Sequence, residues 1–277
     1  YKAMHARLKR LVALKLLPKD RTQDHEALGR FQREMEAIGR LDHPHLVRAY
    51  DAGEAEGRHY LVMEHLDGID LARHIRRHGP LPVADACEII RQASLGLQHA
   101  HEHSLVHRDV KPSNLMLTED GQIKVLDLGL ARLTEEVRPD QEDATATGQV
   151  FGTGDFIAPE QGQDPRQADP RADIYSLGCP LYFLLAGPAP FSGPEWNTFM
   201  KKVMAHAHTP IAPITSIRGD IPEPVATILA RMTAKSPGER FQSAGEVARS
   251  LEAYAAGNNL KDTASERASW PPEREVR

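Results

Sequence analysis

Two carboxylates and a carboxamide stand close together near the middle of the chain. They are Asp109, then Asn114, then Asp127, the second acid 127 − 109 = 18 residues after the first. Side-chain oxygens of this kind suit a hard divalent cation such as Mg²⁺. Lys111 lies two residues past Asp109. Far upstream, Lys15 interrupts the apolar run Leu11 to Leu17 (LVALKLL), which reads as a buried strand with a functional interruption. Glu34 follows Lys15 by 34 − 15 = 19 residues, on a segment of helical periodicity. The chemistry that needs such a set is phosphoryl transfer. Its transition state spreads negative charge over phosphate oxygens, so catalysis is mostly positioning and neutralisation. On that chemistry Lys15 holds the α- and β-phosphates and Glu34 keeps Lys15 aimed. Asn114 and Asp127 hold the metal, Lys111 steadies the γ-phosphate, and Asp109 accepts the proton of the attacking hydroxyl or orients it.

The elements that must position these residues follow from periodicity. His25 to Leu41 carries Leu28, Phe31, Met35 and Ile38 at helical spacing, and Arg58 to Glu64 reads as a strand after a turn at Gly53 to Gly57. Asp70 to His78 and Val83 to His103 read as helices broken by Gly79-Pro80. The second has Ala86, Ile89, Ile90, Ala93, Leu97 and Ala100 on one side. The runs SLVH, NLML and IKVLDL between Leu105 and Leu130 read as small strands. Thr134 to Gly154 is acidic, threonine-rich and without apolar runs, the mark of a functional or disordered loop. Helical patterns resume at Ala172 to Ala186, Trp196 to His206, Pro224 to Thr233 and Ser243 to Ala256. Pro180 falls inside the first of these, where proline costs about 3 kcal/mol, so a kink or a lower stability is expected. Gly257 to Arg277 is polar and reads as a disordered tail.

Composition narrows the classes. The chain has 277 residues, 40% hydrophobic and 26% charged, enough for a sizeable core. Its net charge of −5 argues against an overall basic nucleic-acid binder. Only Cys87 and Cys179 are present, which excludes a disulfide scaffold and a four-cysteine zinc site and fits a reducing, cytosolic setting. No apolar signal segment is visible, and the longest uncharged run, Ile174 to Pro194, is broken by glycines and prolines, so a buried helix and turn explain it better than a membrane span. His99, His101, His103 and His107 lack the H-E-x-x-H spacing and are not read as metal ligands.

The motifs can now be read together. His107 to Asn114 (HRDVKPSN) matches H-R-D-x-x-x-x-N, and it is followed by Asp127-Leu128-Gly129 and Ala158-Pro159-Glu160 and preceded by Val12-Ala13-Leu14-Lys15. Over Tyr1 to Ala256 the chain resembles a bacterial serine/threonine protein kinase of the eukaryotic-like (Hanks) type. The resemblance implies an α+β, two-lobed fold. Residues 1–65 would form a sheet-plus-helix N-lobe, 66–256 a mainly helical C-lobe, and 257–277 the tail. It implies ATP with Mg²⁺ (Mn²⁺ possible) and protein substrates phosphorylated on Ser or Thr, as Lys111 indicates. It places Met63 as gatekeeper, Glu64 and Leu66 as hinge contacts to adenine, and Ala13 and Met116 on either side of the ring. Asp173 (DIYSLG) would anchor the catalytic loop, and Glu160 and Arg240 (SPGERF) would tie the activation segment to the C-lobe. Thr145 and Thr147 would be activating phosphorylation sites, with Arg108 receiving the phosphate.

The chain departs from the family pattern at its start. The glycine-rich loop is missing, and the chain reads as N-terminally truncated before the end of the second strand, with the sheet edge exposed. Leu128 replaces the usual Phe and can fill the same pocket. The rival readings are a pseudokinase or signalling scaffold that keeps the fold but lacks transfer, and a small-molecule phosphotransferase. The latter usually lacks both Lys111 and the A-P-E segment. The resemblance further implies a cytoplasmic domain with no nucleic-acid partner. The resemblance also allows dimerisation and a membrane anchor beyond Arg277.

Overall fold

The computed structural model describes residues 1–6, 9–16, 35–55, 58–128, 153–164 and 168–265. Glu34, Thr145 and Thr147 lie outside the described residues. The first sheet is antiparallel, in the order β1-β2-β4-β3, built from β1 (Lys2–His5), β2 (Arg10–Leu16), β3 (Ala49–Ala55) and β4 (Arg58–Glu64). Its register sets Ala13 opposite Met63 and Lys15 opposite Leu61, so Met63 and Lys15 share one strand pair. A helical stretch over 35–39 packs Met35 and Ile38 into the core beside this sheet.

A second, three-stranded sheet follows, β5 (Gly68–Asp70), β6 (Leu115–Thr118) and β7 (Ile123–Val125). Segment 43–47 joins the two parts. Leu46 forms a parallel bridge to Val125, the Val47 N–H donates to Val125 O at 3.0 Å, and the Val125 N–H donates to His45 O at 2.9 Å. Gly96 makes that approach feasible, because a Cβ there would stand 2.8 Å from His45 O.

Helices make the rest: α1 (Leu71–His78), α2 (Val83–Glu102), α3 (Pro159–Gln163), α4 (Pro170–Ala186), α5 (Phe199–His208), α6 (Glu223–Met232), α7 (Ala244–Leu251) and α8 (Leu260–Ser265). Side chains of Asp70, Thr198 and Ser243 accept backbone N–H groups at the starts of α1, α5 and α7, satisfying donors a helix end leaves orphaned. The α2 stripe is fully buried, as is α4 from Ala172 to Leu185. α4 is therefore buried around its circumference, as expected for the central helix of a core. It continues through Pro180 as one helix. Gly178 lets α4 lie against the end of α6, since a Cβ there would meet the Thr233 methyl at 2.7 Å.

Four local expectations are corrected. The turn read over Gly53 to Gly57 begins inside β3, a strand too exposed to show alternation. SLVH (104–107) forms no strand, since its backbone is committed to the loop described below. The helix read from Trp196 begins instead at Phe199, where Thr198 caps it, and Trp196 closes a short 3₁₀ turn. The disordered tail is wrong over 257–265, where α8 buries Leu260 and Ala264. It is held because the Asn259 N–H and Thr263 Oγ1 donate to the buried Asp85 carboxylate at 2.7 and 2.9 Å.

Candidate active site

The loop from His107 to Asn114 hangs on one carboxylate. Asp173, on α4 and fully buried, accepts the His107 N–H at 2.8 Å, the Arg108 N–H at 2.7 Å and the His101 Nε2 at 2.8 Å. Three donors offset the desolvation of a buried charge. His107 carries the next link. Its Nδ1 accepts the Asp109 N–H at 3.2 Å, so the ring proton sits on Nε2 and is donated to Leu126 O at 2.8 Å. The Leu126 N–H donates to Asn114 O at 2.8 Å. The Leu126 peptide is thus clamped on both sides, which fixes the neighbouring Asp127. Arg108 and Asp127 take the left-handed region, at φ 66° and 57°, conformations that non-glycine residues hold only when their surroundings impose them.

The charged side chains converge on this frame. Lys15 Nζ is 2.7 Å from Asp127 Oδ2, with both side chains about one-third exposed. Lys111 Nζ is 2.8 Å from Asp109 Oδ2. Asn114 Nδ2 donates to Asp109 O at 2.8 Å and to Asp109 Oδ2 at 3.1 Å. The amide nitrogen is spent on Asp109, leaving Oδ1 as the carboxamide atom for a cation. Asn114 Oδ1 and the Asp127 carboxylate form a hard-oxygen set that fits Mg²⁺ or Mn²⁺. No group of three His, Cys, Asp or Glu with metal-holding geometry occurs among the described residues. Of the histidines, His101 and His107 serve the Asp173 network, while the rings of His99 and His103 lie 4.5 Å apart.

Behind the site, Leu128 is buried and lines a cavity of about 10 Å³ with Ile38, Val47, Ala49, Leu61, Met63 and Asp127. That space has room for one water at most, so Leu128 leaves little of it empty. Ala13 and Met116 lie on β2 and β6, each half-buried, and Leu66 follows β4. Glu64 ends β4 and its carboxylate accepts from the Arg48 N–H at 2.9 Å and Lys124 Nζ at 2.8 Å. Glu160 and Arg240 form a two-pronged pair at 2.7 and 2.9 Å, with Arg240 buried and also donating to the carbonyls of Ala234, Arg171 and Lys235.

Several residues in this frame escape a sequence reading. Lys124 braces Glu64 from β7. His101 completes the Asp173 set. Gln161 Nε2 donates to Arg108 O at 2.8 Å, tying α3 to the loop. Only Lys124 carries a signal, a charge in the apolar run IKVL.

The chain matches the protein kinase domain family over residues 1–250 and belongs to it. Among curated proteins it is 36% identical over 251 residues to the serine/threonine-protein kinase PknB of Mycolicibacterium smegmatis, covering 88% of this chain and 39% of that one. It is 34% identical to the serine/threonine-protein kinase PrkC of Bacillus subtilis (92% and 38%) and 35% identical to PknL of Mycobacterium tuberculosis (92% and 62%). The chain therefore spans about two-fifths of the length of the first two. Among solved structures, the PknI kinase domain of Mycobacterium tuberculosis superposes with a TM-score of 0.70 at 29% identity, covering 92% of this chain and 90% of that one. The small antiparallel sheet followed by a mainly helical part is that family's fold, and ATP with a divalent cation is the family's general requirement.

Proposed function

We propose that the chain transfers the γ-phosphoryl group of ATP to serine or threonine hydroxyls of proteins. The observation that carries this reading is the cluster of Lys15, Asp109, Lys111, Asn114 and Asp127, all tied to one loop suspended from Asp173. Lys15 neutralises the α- and β-phosphates. Glu34, outside the described residues, is its proposed partner. Adenine lies between Ala13 and Met116 with the backbone of Glu64 and Leu66 at its edge. Asp109 orients the substrate hydroxyl and takes its proton as the hydroxyl oxygen bonds to the γ-phosphorus and the bond from that phosphorus to the bridging oxygen of the departing ADP breaks, and Lys111 stabilises the transferred group. A divalent cation, Mg²⁺ with Mn²⁺ as substitute, supplies charge neutralisation when held by Asn114 and Asp127. The Glu160–Arg240 pair seats the end of the activation segment, and Arg108 hydrogen-bonds the phosphate carried on Thr145 or Thr147. Arg108 Nε is a buried donor without a partner among the described residues, consistent with that role.

No helix among the described residues is long and apolar enough to cross a membrane, and both cysteines are buried thiols. Peptide mass spectrometry after incubation with ATP and Mg²⁺ tests the reading. Phosphate on Thr145 or Thr147 is expected in the parent and absent from Asp109→Asn, a loss of at least 100-fold. Equal phosphorylation in the variant would overturn the assignment. ATP binding without transfer in the parent would favour the scaffold reading.

A further inference from the structure

The C-lobe contains a line of polar side chains that the reaction as described does not use. Tyr175 on α4 and His206 on α5 are both fully buried, and Lys235, after α6, is half-buried. Lys235 Nζ donates to the Tyr175 hydroxyl at 3.3 Å. That hydroxyl lies 2.9 Å from His206 Nδ1, and His206 Nε2 lies 3.0 Å from the carbonyl of Asp155. The two ends fix the direction of every bond, because an ammonium only donates and a carbonyl only accepts. Burial pushes His206 down to about 3, so the ring is neutral and has one donor and one acceptor. The proton is therefore on Nε2, and Tyr175 O–H donates to Nδ1.

Aromatic rings hold the line in place. Phe191 meets the His206 ring edge-on at 4.8 Å, and the Arg240 guanidinium lies 4.8 Å from the centre of the Tyr175 ring. Arg240 is also the partner of Glu160. The far end of the line is the 3₁₀ turn Thr153–Phe156, just before α3. Asp155 is gripped twice from α5, at its carbonyl by His206 and at its carboxylate by Lys202 Nζ at 2.5 Å. Apolar packing alone would not require two fully buried polar groups aligned on one backbone carbonyl.

We infer that Lys235, Tyr175 and His206 are positioning residues that set the backbone of segment 153–156, and that this turn, between Thr147 and the Glu160 anchor, presents the protein substrate. This rests on the kinase reading above. Hydrogen exchange and steady-state kinetics on three variants test it. His206→Leu breaks the line, Tyr175→Phe removes only the hydroxyl, and His206→Gln can still accept through Oε1 and donate through Nε2. The phosphoacceptor probe is a peptide of residues 141–151 of this chain.

His206→Leu and Tyr175→Phe should raise the KM for the peptide at least fivefold, with kcat and the KM for ATP within twofold. Amide exchange over 153–160 should quicken at least fivefold in His206→Leu and stay slow over 107–118. His206→Gln should behave as the parent in both measurements. Equal damage from His206→Gln and His206→Leu would overturn the inference, as would loosening of 107–118 to the same degree or an unchanged peptide KM in His206→Leu. A parent that transfers no phosphate would refute the kinase reading, and the exchange comparison alone would then decide this one.

Discussion

At the scale of single residues, the site depends on carboxylates whose partners are fixed by folding. Asp173→Asn keeps the size but turns an NH₂ group toward donors. The loss of one acceptor among buried N–H groups should cost about 3 kcal/mol, seen as a lower Tm together with a fall in activity. Lys124→Met tests the brace on Glu64. Removing a charge-assisted hydrogen bond there should raise the KM for ATP about fivefold, equivalent to ~1 kcal/mol, and leave kcat within twofold. Asp109, Asn114, Asp127 and Lys15 were legible in the sequence because their chemistry is written in local strings. The Glu64–Lys124, Arg108–Gln161 and Tyr175–His206 contacts join residues 60, 53 and 31 positions apart, and no local pattern encodes them.

At the scale of elements, the long helices were legible wherever an apolar face, a cap and a breaker coincided. α1 shows all three, with Asp70 at its start and Gly79 at its end in the left-handed region at φ 80°. Elements without such signals were misread. β3 presents exposed residues along most of its length, and α8 has only six, too few for periodicity to register. Tertiary contacts supply what those segments lack. Asp85→Ala should therefore release α8, quickening amide exchange over 258–265 and lowering stability by about 1–3 kcal/mol, while the catalytic loop exchanges as before.

At the scale of the whole molecule, buried histidines couple stability to acidity. Burial lowers His206 to about 3 and His43 to about 4, both from 6.5, and lowers His45 as well. As pH falls below 6.5 the unfolded chain takes up these protons first, so stability is full above that point and is lost progressively toward pH 4. Asp70 and Asp155, raised by burial, offset part of this loss near pH 4, while Glu88 and Asp169, lowered by Arg91, Gln92 and Arg171, add to it. His206 alone should account for about 2 kcal/mol at pH 5. Thermal melts between pH 7 and 4.5 should show this slope, and His206→Gln should flatten it.

The suspension of the catalytic loop from Asp173 also has a consequence in time. The two backbone groups that carry the loop point into the most buried helix among the described residues, and neither can be released while α2 and α4 remain packed. The loop has no private way to melt. In a urea titration, catalytic competence should survive up to the concentration at which helical signal collapses, and both should vanish in one transition with a single rate.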